Sequence, residues 1–118
     1  MDRRIAFLQD QFLNNLQHQW TVEEMASTVE VSIPHLQKVF KDSIGIPPIT
    51  YLRELRLEKA RELLEKGFQN ITEIRHAVGI HNDSHFTRDF KQKYGVTPTE
   101  YRRQLGEKNE TKTFDDKK

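Results

Sequence analysis

The sequence contains no cysteine. That excludes a disulfide framework and any zinc site built on thiolates, and with no sign of an oxidising compartment the cytoplasm is the expected location. Long apolar runs are missing too. None approaches the roughly 18 residues that a membrane helix requires, and the opening Met-Asp-Arg-Arg lacks the apolar core of a signal peptide, so no membrane partner is expected. Nor is there an excess of charge: 19 Lys and Arg face 18 Asp and Glu, a formal net charge of +1. The total therefore gives no support to nucleic-acid binding. A basic footprint would have to be local, because a phosphate backbone responds to the face turned toward it. The chain also lacks a cysteine nucleophile, a glycine-rich phosphate loop and paired carboxylates in a pocket-forming context, so neither an enzyme nor a cofactor is expected.

What is present is helical periodicity. In 118 residues there is room for one modest core or two very small ones sharing a connector. Apolar residues recur at helical spacing at Ile5, Leu8, Phe12 and Leu16, and again at Leu52, Leu55, Ala60, Leu63 and Leu64, while no stretch alternates as a half-buried strand would. The helical pattern breaks at 17–21, 30–32, 44–48, 67–70, 79–82 and 95–98, and from 44 onward each break carries Gly together with Pro or Asn. This punctuation predicts an all-α chain of about seven helices. Residues 1–19 read as one amphipathic helix, and 106–118, polar with a single large apolar residue at Phe114, as a disordered tail.

An internal repeat carries the most information. Val22, Met25 and Val29 align with Ile71, Ile74 and Val78; beyond a short turn, Leu36, Phe40, Lys41, Gly45, Pro48 and Tyr51 align with Phe86, Phe90, Lys91, Gly95, Pro98 and Tyr101, with one residue inserted in the second copy. Each copy starts with a capping-box pattern, Thr21 with Glu24 and Asn70 with Glu73, in which side chains satisfy the unpaired amides of a first helical turn. Ser32 and Asn82 are the expected caps of a second helix in each copy, and Gly45 and Gly95 the expected left-handed ends. A short helix, a tight turn and a longer helix make a helix-turn-helix. The units fall at 20–47 and 67–105, the second with a closing helix, and 48–66 forms a connector helix.

Two other readings use the same residues. A helical protein-protein interaction module without DNA binding suits the near-neutral charge. A metal centre at His76, His81 and His85 is weaker, because no carboxylate or cysteine completes the spacing and His81 falls in the predicted turn, so no metal is expected.

The stretch from Trp20 to Ala26, the run SIPHLQKVFK from Ser32 to Lys41, Gly45, and Arg56, Leu57, Ala60 and Leu63 all resemble the DNA-binding domain of the AraC/XylS family of transcription regulators. Most specific is ITEIRHAVGIHNDSHFTRDFKQKYGVTPTEYR, from Ile71 to Arg102, similar to the family signature over its whole length. The resemblance implies two helix-turn-helix units joined by a long helix, regulating transcription at a bacterial promoter. It also implies double-stranded promoter DNA and RNA polymerase as partners, and a sensor domain in the full-length protein. Three residues depart from the pattern. Arg75 stands where the family has a small residue, and is expected to reach solvent past its neighbouring helix or to open the unit. Ile80 and His85 replace aromatics, predicting looser packing in the second unit.

In a helix-turn-helix the second helix enters the major groove. With Leu36, Phe40, Phe86 and Phe90 inward, the register turns the other face outward, and the resemblance places base contacts at Pro34, Gln37 and Lys38 in the first unit and at Asp83, Ser84, Thr87 and Arg88 in the second. Arg88 suits guanine and Gln37 adenine. Thr21, Lys41, Asn70, Lys91 and Arg102 are the phosphate candidates, which set register without specifying sequence. The charged residues of the connector, Arg56 among them, read as a solvated face.

Overall fold

The computed structural model describes residues 2–106, and within them every regular element is an α-helix. The seven helices are α1 (Arg3–Asn14), α2 (Val22–Thr28), α3 (Ile33–Ile44), α4 (Pro48–Lys66), α5 (Ile71–Ala77), α6 (Asp83–Tyr94) and α7 (98–106). The predicted tail lies outside the described residues, apart from Gly106. The chain divides into two compact units between Arg56 and Leu57, inside α4. The first half of α4 buries Leu52 in one core and the second half buries Leu57, Ala60 and Leu64 in the other.

In the first unit, α1, α2 and α3 enclose Ile5, Leu8, Phe12, Met25, Leu36 and Phe40, all nearly inaccessible to water. Burying a side chain of this size stabilises by about 1.5–3 kcal/mol. Helix α1 is shorter than the sequence suggests. It stops at Asn14 because Asn15 leaves helical geometry (φ −140°, ψ 48°), and its side-chain amide donates to the Gln11 carbonyl. The turn brings Trp20 back over Phe12, with ring centroids 5.2 Å apart, edge to face. Carbonyls freed by this turn are taken up by Arg56, whose guanidinium donates to Leu16 O (3.1 and 3.2 Å) and His18 O (2.7 Å). Arg56 therefore does not belong to a solvated face. Its burial lowers its pKa from the ordinary guanidinium value.

In the second unit Leu57, Ala60, Leu64, Ile74, Val78, Phe86 and Phe90 form the core, with Ile80, Tyr94 and Tyr101 packed against it. The repeat read from the sequence recurs in three dimensions. Gly45 and Gly95 end α3 and α6 in the left-handed region, their amides donating to Lys41 O (2.8 Å) and Lys91 O (2.7 Å). Phe40 meets Tyr51 at 5.4 Å, and Phe90 meets Tyr101 at 5.7 Å, each edge to face.

The expected capping boxes form unequally. Asn70 and Glu73 make both reciprocal bonds, at 2.8 and 2.9 Å. In the first unit Thr21 accepts from Glu24 N, but the Glu24 carboxylate turns to His18 Nε2 instead of returning to the Thr21 amide. A third box, Thr97 with Glu100, starts α7; its T-x-x-E spacing was legible in the sequence.

Candidate nucleic-acid interface

The helices α3 and α6 are the second helices of their units, and both are built the same way. Each is 12 residues long, starts at a cap whose side chain accepts from the amide three residues on (Ser32 from His35, 3.3 Å; Asn82 from His85, 2.9 Å), and ends at a left-handed glycine. Each is anchored by two fully buried side chains four residues apart, Leu36 and Phe40 or Phe86 and Phe90. That anchor fixes which side is free, since residues three and four apart share a helix face. Pro34, Gln37, Lys38 and Lys41 are exposed on α3; Asp83, Ser84, Arg88 and Lys91 are exposed on α6, and Thr87 is half-buried. The structure therefore collects the α3 candidates on one surface and the α6 candidates on the equivalent surface of the other unit.

The two surfaces match in geometry and differ in chemistry. Gln37 corresponds to Thr87 and Lys38 to Arg88. Both of the latter cations are already engaged: Lys38 Nζ lies 3.1 Å from Asp42 Oδ2, and Arg88 Nε 3.1 Å from Asp89 Oδ1. Exposed pairs of this kind contribute about 0–1 kcal/mol, so each cation exchanges partners at small cost. The phosphate candidates stand differently. Lys41 and Lys91 are exposed near the ends of their helices. Thr21 and Asn70 are exposed, with their side chains committed to the first turns of α2 and α5. Arg102 is half-buried, and its NH2 nitrogen has no access to water.

The turns that aim these helices are also repeated, 29–32 in the first unit and 78–82 in the second, one residue longer. In each, a residue in the left-handed region donates to the carbonyl three back: Glu30 (φ 60°) to Ser27 O and Gly79 (φ 79°) to His76 O, both 3.1 Å. The following amides, Val31 and Ile80, donate to Ala26 O and Arg75 O, both 3.0 Å. Arg75 neither reaches solvent nor opens the unit. Its side chain is 13% exposed and folds across the turn, where it donates to Ile80 O (3.1 Å) and His81 O (2.6 Å). Sequence reasoning identified Arg75 as unusual and missed this role, because its partners are main-chain carbonyls that carry no residue-type signal.

The rings of His76 and His81 lie 6.2 Å apart, while His85 is exposed on α6. Among the described residues no group of three or more His, Cys, Asp or Glu is arranged to hold a metal ion. No helix there is long and apolar enough to cross a membrane.

A helix-turn-helix domain family model matches residues 25–104. The HTH-type transcriptional regulator MtrA of Neisseria gonorrhoeae is 29% identical over 107 residues, which cover 91% of this chain and 36% of that protein. The chain spans about a third of the length of the curated relatives it matches. A transcriptional regulator from Chromobacterium violaceum, described as AraC-type DNA-binding domain-containing, superposes with a TM-score of 0.78 at 29% identity, covering 87% of this chain and 92% of that one. The DNA-binding domain of AdpA, in complex with a target DNA, shares the fold (TM-score 0.80, 24% identity, 84% and 89% covered).

Proposed function

The chain belongs to the AraC-type helix-turn-helix family, and on that premise we propose that it binds double-stranded promoter DNA sequence-specifically, with α3 and α6 as the reading helices, to regulate transcription. One observation supports this most strongly: the same 12-residue helix is capped, anchored and ended alike in two units, and each time presents polar side chains on the free face. A solvated helix has no need of that duplication.

We assign base reading to Pro34, Gln37 and Lys38 on α3 and to Asp83, Ser84, Thr87 and Arg88 on α6. Arg88 can donate twice to guanine O6 and N7, and Gln37 can pair with adenine; each such contact discriminates by about 1–3 kcal/mol. Pro34 offers only apolar contact, suited to a thymine methyl, which makes α3 the poorer reader. Thr21, Lys41, Asn70, Lys91 and Arg102 are assigned to phosphates. The 19 residues of α4 join the two units. The expected target is a two-part motif, its halves about one helical turn of B-DNA apart as for paired helix-turn-helix readers. In the full-length protein this domain would serve a sensor domain and act on RNA polymerase at the promoter, in the cytoplasm.

The test is selection of duplexes from a random pool at physiological salt, followed by anisotropy titration of the selected sequence with wild type, Arg88→Ala and Gln37→Ala. The proposal requires a two-part motif that each substitution degrades at a different position, with affinity falling steeply as salt rises. No enrichment, or binding indifferent to both substitutions, removes DNA reading and leaves a helical module that binds protein.

A further inference from the structure

The second unit carries a carboxylate where a DNA-facing surface would be expected to avoid one. Asp83 is the first residue of α6, and its side chain is 72% exposed. The equivalent position of the first unit holds Ile33, so the acid belongs to this unit alone. An acid favours the positive end of a helix, which accounts for its tolerance by the fold but not for its tolerance by a phosphate backbone.

Arg75 answers that second point. Its NH1 nitrogen is fixed by the Ile80 and His81 carbonyls, at 3.1 and 2.6 Å. With the guanidinium so held, Nε is shut off from water, has no hydrogen-bond partner, and lies 3.9 Å from Asp83 Oδ1. A planar guanidinium tied at one edge presents its charge from a fixed direction, which a flexible ammonium does not. Asp83 thus faces a fixed positive charge beneath it and water above it. Ala26, at the position equivalent to Arg75, supplies nothing comparable in the first unit.

We propose that Arg75 is a positioning residue for base reading by α6: it offsets the charge of Asp83 and orients its carboxylate to accept from a base amino group, cytosine N4 in the major groove. An ionised acidic side chain can only accept, and the cytosine N4 donor is flanked by one acceptor, O6 of its paired guanine, whereas adenine N6 lies between two, its own N7 and thymine O4. Arg75 itself is too enclosed to touch DNA. This inference rests on the DNA-reading proposal above and adds a specificity determinant to it.

The experiment uses the selected duplex and a set in which each base pair of the half-motif assigned to α6 is replaced in turn. Binding is measured for wild type, Asp83→Asn, Arg75→Ala, Arg75→Lys and the Arg75→Ala/Asp83→Asn double variant, alongside thermal melting of each. Wild type should prefer cytosine at one position by roughly fivefold or more, the lower end for a well-made base contact. Asp83→Asn should abolish that preference. Arg75→Ala should reduce it at the same position, leaving the Arg88-dependent position and the α3 half-motif unchanged, and should add nothing in the double variant; Arg75→Lys should restore part of it. Two results overturn the inference: a cytosine preference untouched by Asp83→Asn, or an Arg75→Ala variant that weakens all duplexes by one common factor, the mark of a merely structural residue. If Arg75→Ala does not fold, Arg75→Lys decides the matter by the same criterion: a preference weakened at the cytosine position alone supports the inference, and one common factor across all duplexes overturns it. If wild type selects no motif, the DNA reading fails with it; if Arg88→Ala behaves as expected while the cytosine preference does not, only the Arg75 inference falls.

Discussion

Arg88 Nε is held by the carboxylate of the very next residue, Asp89, at 3.1 Å, so the cation proposed for guanine has a competitor beside it. Asp89 is the less exposed partner, 19% against 66%. Neutralising the competitor should release Arg88. Asp89→Asn is expected to raise affinity for the selected duplex about two- to fivefold at low salt, with the gain shrinking as salt screens the pair. Anisotropy at two ionic strengths checks this; unchanged affinity at low salt would show that the pair does not restrain Arg88.

A second prediction concerns the turns. Glu30 occupies a left-handed conformation that costs a side-chain-bearing residue roughly 1–2 kcal/mol, whereas its counterpart Gly79 adopts it freely. Glu30→Gly should stabilise the first unit by about 0.5–1 kcal/mol, and Gly79→Ala should destabilise the second by at least as much. Denaturant midpoints decide the sign; a destabilised Glu30→Gly would mean that the Glu30 side chain makes a contact worth more than the strain.

A third concerns Arg56, which reaches back 38 and 40 residues to the carbonyls of His18 and Leu16. Removing it leaves part-buried acceptors without donors, at a cost of about 1–3 kcal/mol. Arg56→Ala should lower the melting temperature and expose Trp20 to solvent, read as a red shift in its fluorescence. Arg56→Lys, able to satisfy fewer carbonyls, should fall between the two.

Alkaline pH supplies the fourth. Burial first, and then the Glu65 carboxylate that accepts its hydroxyl proton, push the Tyr101 phenol from 10.0 up to about 12. The folded chain therefore keeps this proton longer than the unfolded one. The stabilisation is complete below pH 10 and disappears as pH rises through about 12. Ultraviolet titration should show a late phenol step that Tyr101→Phe removes; a titration curve that Tyr101→Phe leaves unchanged above pH 10 would contradict the assignment.

The helical repeat, its caps and its glycine ends were legible because they depend on residues within a few positions of one another. Gly45 and Gly95 sit where local backbone chemistry demands them, and the spacing of Phe86 and Phe90 is enough to orient α6. What the sequence concealed was the choice of partner over distance. Glu24 was a sound capping-box residue until the turn after Asn15 brought His18 to it. Arg56 looked like any solvated arginine because its acceptors are main-chain carbonyls, and the same is true of Arg75. The outward faces of α3 and α6 could be outlined from register and the candidate base contacts placed on them by resemblance, but the acid beside Arg88 and the guanidinium beside Asp83 change their chemistry, and those depend on rotamers that the fold selects.

The division of α4 between two cores bears on how such a chain can change over generations. Each unit closes around its own phenylalanines and its own stretch of that helix, so a substitution in one is judged against that unit's packing. Glu30 holds the left-handed turn position in the first copy that Gly79 holds in the second, and the pair of Arg75 with Asp83 occurs in the second alone. If the DNA-reading proposal holds, a duplicated fold organised in this way can change the sequence preference of one half while the other half keeps its own.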